Sequence, residues 1–181
     1  MVFTEDEIDK LIKAINIPLL KNFVIIGLYT GMRLAEILNL QWKDIIFEEK
    51  IIKVLNKENH RTKTTRIRSI PISDKLYPVL EDMKREAGDN YSAEKYLFQS
   101  YTKRPFDKSF ITTKFKKSVI KAGLPVHLHF HNLRHTFITQ LLRKEISIYK
   151  VKTLAGHSSV KTTECYSHLV VDDLRDAVNV L

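Results

Sequence analysis

HNLRHTFITQLLRKEISIYKVKTLAGHSSVKTTECY, residues 131–166, is the stretch on which the reading of the whole chain turns. Leu133, Phe137, Ile138, Leu141 and Leu142 recur at helical spacing, which predicts an amphipathic helix with a firmly seated apolar face. His131 and Arg134 stand three apart at its start and so share one side of it. Two short helices are expected next, over 147–155 and 159–166. Ser147 and Ser159 (or Ser158) suit their N-caps, and Gly156 suits the left-handed residue that ends the first. Two histidines, an arginine and a tyrosine are thereby gathered on short, capped elements. They form no metal-ligand grouping, and no glycine-rich phosphate loop accompanies them.

Upstream, the chain opens with TEDE at 4–7, a capping box in which Thr4 caps and Glu7 answers it. Ile8, Leu11, Ile12 and Ile15 make an apolar stripe that Pro18 is expected to close. A second, more apolar helix covers about 19–30 and stops at Gly31. TGMRLAEILNLQWKDI follows at 30–45, with Arg33 and Glu36 three apart on one helical face and Leu34, Ile37, Leu38 and Trp42 directed to the core. Read on its own, Arg33–Glu36 is a surface ion pair worth a few tenths of a kcal/mol. The period then changes. Residues 45–47, 51–55 and 66–72 are short β-branched runs, which suggests a three-stranded antiparallel meander. The connection NKENHRTKTT at 56–65 carries Lys57, Arg61 and Lys63. A helix over 73–87 ends at Gly88, with its regular part beginning late because of Pro78. Tyr96-Leu97-Phe98 is the only strand-like piece of 88–108. A lysine-rich helix over 109–122, with Lys114 and Lys117 among its basic residues, ends at Gly123.

The 181 residues are 44% apolar, enough for one domain with a true core. A net charge of +9 favours a polyanionic partner, most simply nucleic acid. The single cysteine, Cys165, excludes a disulfide framework. No signal peptide or span-length apolar run occurs, so a soluble, cytoplasmic protein is expected, nucleoid-associated when on DNA.

Three motifs together resemble the tyrosine recombinase (phage integrase) family. H-x-L-R-H-T is matched by His131, Leu133, Arg134, His135 and Thr136. L-G-H-S-S is matched by AGHSS at 155–159, with Ala155 in place of leucine, and Tyr166 follows His157 by nine residues. T-G-x-R-x-x-E-I-x-x-L-x-W-x-D is matched at every fixed position of 30–44. The resemblance implies an α+β, mainly α-helical fold, with helices packed on a small three-stranded antiparallel sheet. It implies a site-specific recombinase or integrase that cleaves and rejoins duplex DNA through a covalent 3′-phosphotyrosine. Tyr166 would be the nucleophile, and Arg33 and Arg134 would grip the non-bridging oxygens. His131 would bind phosphate or accept the tyrosine proton, His157 would add a hydrogen bond, and Glu36 would orient the site. In the family a lysine in the turn between the second and third strands protonates the leaving 5′ oxygen. Counting back from Ile70-Pro71-Ile72 places Lys63 there, with Lys57 the competitor.

Lys57, Arg61, Lys114 and Lys117 are expected to meet the DNA backbone, or to be solvated surface charges. No metal or other cofactor is implied. The alternating His127, His129 and His131 could suit a metal, but Arg134 already accounts for His131 and no second ligand cluster has zinc-like spacing. The partner implied is duplex DNA bearing recombination sites, bound by a tetramer, with a monomer possible off DNA. Family members generally carry a helical DNA-clamping domain ahead of a segment resembling VFTEDEI, so 1–181 reads as one catalytic domain without it. Two alternatives stand beside this reading. A helix-turn-helix regulator would explain the basic charge and the paired short helices. A type IB topoisomerase uses a similar residue set.

Overall fold

The computed structural model describes residues 1–56, 66–88, 91–99 and 105–166. Its elements run α1 (Glu5–Ala14), α2 (Pro18–Thr30), α3 (Leu34–Leu38), β1 (Ile45–Ile46), β2 (Ile51–Asn56), β3 (Arg66–Pro71), α4 (Tyr77–Ala87), α5 (Lys108–Lys121), α6 (His131–Arg143), α7 (Ile148–Ala155) and α8 (Val160–Glu164). The strands pair antiparallel in the order β1-β2-β3, with Ile45 opposite Ile52 and Ile52 opposite Ile70. The expected class, helices packed with a three-stranded meander, is what forms.

Helix α2 is the central rod. Leu20, Phe23, Val24, Ile26, Gly27, Leu28 and Thr30 are all buried, so it is enclosed on nearly every side. It packs against α6 at close range: a Cβ on Gly27 would lie 3.2 Å from the Phe130 ring and 3.3 Å from Leu133. Gly31 ends α2 with φ +63°, and a Cβ there would sit 2.3 Å from Cδ1 of Phe137. Both the left-handed backbone and the close approach therefore require glycine. α6 in turn ties down the start of the chain, because Phe3 N–H donates to Thr136 Oγ1 at 2.8 Å and Asn132 Nδ2 donates to the Met1 carbonyl at 2.9 Å.

The main core gathers α1, α2, α3, the inner face of the sheet, α4 and α5, with Leu11, Phe23, Ile26, Ile37, Ile52, Leu80, Ile111 and Val119 fully enclosed. A smaller cluster, Ile138, Val151 and Ala155 with Phe137, Leu141, Leu142 and Tyr166, seats α7 on α6. The capping box on Thr4 forms as expected, and Ser159 caps α8. Gly156 ends α7 at φ +72°.

Several boundaries differ from the sequence reading. Pro18 does not close α1, which ends at Ala14, but opens α2 at its first turn, where a missing N–H costs nothing. Arg33 is the N-cap of α3 rather than a residue of its face; its backbone N–H donates to Glu36 Oε2 at 2.8 Å. Ser147 precedes α7 without a side-chain capping bond. α4 begins only at Tyr77, after a turn at 74–76, the late start that Pro78 implies. α8 stops at Glu164, so Tyr166 lies in the turn beyond it. No helix among the described residues is long and apolar enough to cross a membrane.

Candidate active site

The site forms where α3, β3, α6 and the α7–α8 turn converge. Glu36 is its buried negative charge, with a side chain only 9% exposed. Arg68, reaching in from β3, grips it with both fork nitrogens, Nη2 to Oε2 at 2.7 Å and Nη1 to Oε1 at 2.9 Å. Arg33 adds its Nη1 at 3.2 Å and its own backbone N–H. Burial alone would raise the Glu36 carboxyl, but the Arg68 fork and then Arg33 outweigh it and hold the group below its ordinary 4.5. Arg68 also donates Nε to the Leu154 carbonyl at 3.0 Å, and a Cβ on Gly156 would lie 2.8 Å from its Nη1. One side chain thus fastens the sheet to α3 and to the end of α7.

Arg134 is 2% exposed. Its Nη1 donates to the Gly31 carbonyl at 2.7 Å, while Nη2 has no acceptor among the described residues. A buried guanidinium N–H without an acceptor costs on the order of 1–3 kcal/mol, and an incoming phosphate oxygen would relieve it. Burial, followed by the like charge of Arg33, lowers Arg134 to about 10, still fully charged at neutral pH.

Tyr166 comes to this group from the turn after α8. Its hydroxyl is 2.6 Å from His135 Nδ1, and its ring stacks with His157 at 6.2 Å between centroids. His131 and His135, one turn apart on α6, meet edge to face at 4.6 Å. His157 Nδ1 is occupied by the buried Thr163 hydroxyl at 2.8 Å, which leaves Nε2 for a ligand. Burial first, and then the positive charge of the arginines, disfavours the charged imidazoles: His157 falls to about 4, and His131 falls below its ordinary 6.5. His135 also falls to about 4, through burial and then His131. Burial pushes the Tyr166 phenol above 10, against the pull of Arg134.

This gathering of three arginines, three histidines and one tyrosine lies on a sequence with known relatives. The sequence model of the phage integrase family covers residues 1–172.

The chain belongs to the phage integrase family.

It is 31% identical, over 99% of its length, to a tyrosine recombinase XerC-like protein of Caldanaerobacter subterraneus subsp. tengcongensis, of which it covers 53%. It is likewise 31% identical, over 97% of its length, to tyrosine recombinase XerA of Pyrococcus furiosus, of which it covers 59%. The crystal structure of XerA recombinase superposes with a TM-score of 0.80 at 30% identity, covering 99% of this chain and 64% of that one. The catalytic domain of bacteriophage HP1 integrase gives 0.68 at 26% identity, over 98% of this chain and 93% of that one. The chain spans 50–60% of the length of the curated relatives it matches first.

Within this integrase-family domain, Arg33, Glu36, His131, Arg134, His157 and Tyr166 are brought together. Lys57, Arg61 and Lys63 lie outside the described residues. Lys114 and Lys117 sit on α5, Lys117 exposed and Lys114 with its ammonium 5.6 Å from the Phe110 ring centroid. The cleft beside Arg33 and His131 is lined instead by Lys108 and Lys116 of the same helix, with Thr112 and His129. No group of three or more potential metal ligands comes together among the described residues. Two site residues had no role in the sequence reading. Arg68 was legible in principle, since strand alternation puts it on the side of Ile70 and Ile72, where a charge needs a partner. His135 belongs to the H-x-L-R-H-T motif, but its contact with Tyr166 spans 31 positions and depends on the fold.

Proposed function

We propose that this chain cleaves and rejoins DNA strands at specific sites, with Tyr166 as the nucleophile. The observation that carries the reading is Arg134: a buried, charged guanidinium with one nitrogen lacking an acceptor among the described residues, whose field reaches the half-buried Tyr166 phenol. A phosphodiester is the ligand that satisfies such a group and gives the tyrosine something to attack. In the step, the Tyr166 phenol gives up its proton, to His131 or to water, as its oxygen bonds to phosphorus and the bond to the 5′ oxygen breaks. The strand is left as a 3′-phosphotyrosyl ester, and the departing oxygen takes a proton. Arg134 and Arg33 stabilise the charge that builds on the non-bridging oxygens. His131 and His157 Nε2 add contacts to the same oxygens. Lys63 is the proposed proton donor to the leaving oxygen, with Lys57 the alternative. The ester keeps the bond energy, so a 5′ hydroxyl can reverse the reaction with neither ATP nor metal.

The proposed partner is duplex DNA. The net charge of +9 supports it, as do the DNA complexes of fold relatives such as XerH on difH and the Tn1549 transposon integrase. Lys57, Arg61, Lys114 and Lys117 are proposed backbone contacts. A tetramer on DNA, a monomer off it and a place in the cytoplasm with the nucleoid complete the reading. A regulator that only binds DNA has no use for a tyrosine held among phosphate-binding groups.

The test is covalent capture. Bound sequences are recovered from a random duplex library, and the enriched site is built as a nicked duplex and resolved on denaturing gels. Wild type should give a slow-migrating protein–DNA adduct, and Tyr166→Phe should give none. Arg33→Ala and Arg134→Ala should each slow its formation by about 100-fold or more, the scale of one lost preorganised donor. Adduct persisting in Tyr166→Phe would overturn the assignment.

A further inference from the structure

The phosphate-binding groups account for Arg33, Arg134, His131 and His157, but none of them holds the tyrosine hydroxyl. That hydroxyl belongs to His135. The backbone does little to aim Tyr166, since α8 ends at Glu164 and Tyr166 lies in the following turn, its N–H on the Thr163 carbonyl at 3.0 Å. Side-chain contacts must therefore set the direction of the ring. Its apolar body rests on the cluster of Ile138, Val151 and Ala155. One face lies along His157, itself fixed by Thr163. The remaining freedom is the tilt that carries the oxygen towards or away from α6, and the 2.6 Å contact with His135 Nδ1 removes it.

His135 is unsuited to storing the proton. A phenol held above 10 does not hand its proton to an imidazole whose conjugate acid titrates near 4. A neutral imidazole with its own proton on Nε2 is instead a fixed acceptor for the phenol O–H. Its mount matters as much as its chemistry. His135 follows Arg134 directly in α6 and stands one turn beyond His131, so a single rigid helix carries both the phosphate-binding groups and the hold on the nucleophile.

We infer that His135 is a positioning residue for the nucleophile, its Nδ1 seating the Tyr166 hydroxyl against α6 at a fixed offset from Arg134 before DNA arrives. The inference rests on the strand-cleavage reading above and adds a group to it that touches neither phosphate nor leaving oxygen.

Two variants separate positioning from packing. His135→Phe keeps a ring of similar size without an acceptor, and His135→Asn offers an amide oxygen close to where Nδ1 stands. His135→Ala replaces the former if the larger ring disturbs folding. On the nicked duplex, His135→Phe should form adduct about 10- to 100-fold more slowly at unchanged DNA affinity, the scale of a reacting group misplaced by about 1 Å. His135→Asn should recover most of the rate. Without DNA, the ring-carbon NMR signal of Tyr166, identified by its loss in Tyr166→Phe, should move in His135→Phe and return towards wild type in His135→Asn. Adduct formation by His135→Phe at the wild-type rate or faster would overturn the inference, as would a Tyr166 signal unmoved by the substitution. Failure of the underlying reading looks different: wild type would form no adduct, or Tyr166→Phe would still form one, and the DNA-free signal would still report on the His135 contact.

Discussion

At the scale of single residues, the consequential pair is Arg68 and Glu36. A carboxylate this enclosed is tolerable because the Arg68 fork and the Nη1 and backbone N–H of Arg33 donate to it. Arg68→Met would leave Glu36 buried with half its donors and the Leu154 carbonyl without its Nε donor. We expect a loss of roughly 3–5 kcal/mol, the cost of breaking a buried pair from one side. Adding Glu36→Gln should restore part of it, since the stranded charge disappears, and urea denaturation of the two single variants and the double closes the cycle. Equal, additive losses would mean that Arg68 acts through packing alone. Arg33 and Glu36 were readable because they are neighbours in a motif. Arg68 sits 32 positions from its partner, and only its place on the inward side of β3 hinted that a partner was needed. The lysine expected at the leaving oxygen is a further case: the hairpin count favours Lys63, which lies outside the described residues.

At the scale of elements, periodicity and capping chemistry carried most of the fold. The Thr4 box, Gly31, Gly156 and the β-branched runs each fell where an element begins or ends. The junctions that escaped are those where the local residue is a poor signal for its conformation. Pro18 reads equally as a stop or a start, and α1 had in fact ended earlier. The end of α6 is more telling. Glu145 adopts φ +58°, and Ile146 N–H reaches back to the Leu141 carbonyl at 3.0 Å, which together make the left-handed stop usually built on glycine. Glutamate bears a Cβ penalty there and places a negative charge at the negative end of the helix. Glu145→Gly should therefore stabilise the protein by about 0.5–1 kcal/mol, after the extra entropy of glycine in the unfolded chain is subtracted. The melting temperature should rise by about 1–4 °C for a chain of this size. Because residue 145 is exposed and takes no part in the site, the rate of adduct formation should not change. A lower melting temperature would show that the acid has a favourable contact outweighing its backbone strain.

At the scale of the molecule, the site buries its histidines and surrounds them with positive charge, which together keep them neutral, and this must appear in the pH dependence of folding. His135 and His157 titrate near 4 in the folded protein and near 6.5 when unfolded. Above 6.5 neither state binds these protons, so stability is level there. Between 6.5 and 4 the unfolded chain takes up protons that the folded site refuses, and stability must fall as the pH falls. His131, lowered in the same direction, adds to the slope. Glu36, held below 4.5, contributes stability above that value and loses it as the pH drops through its folded pKa, which extends the decline downward. Every group therefore acts with the same sign. Urea midpoints measured from pH 7.5 to 4 should be flat at first and then fall steadily below about 6.5, with a shallower fall in His157→Asn. A flat profile down to pH 5 would mean that these rings are charged in the folded state. DNA should change the result in a defined way. A phosphate between Arg134, His131 and His157 introduces the missing negative charge, which favours imidazolium and raises the histidine values back towards 6.5. Saturating site DNA should thus protect the protein most at acid pH, and the added stability should grow as the pH falls from 6.5 to 5. Protection that stays constant over that range would place the phosphate away from these histidines.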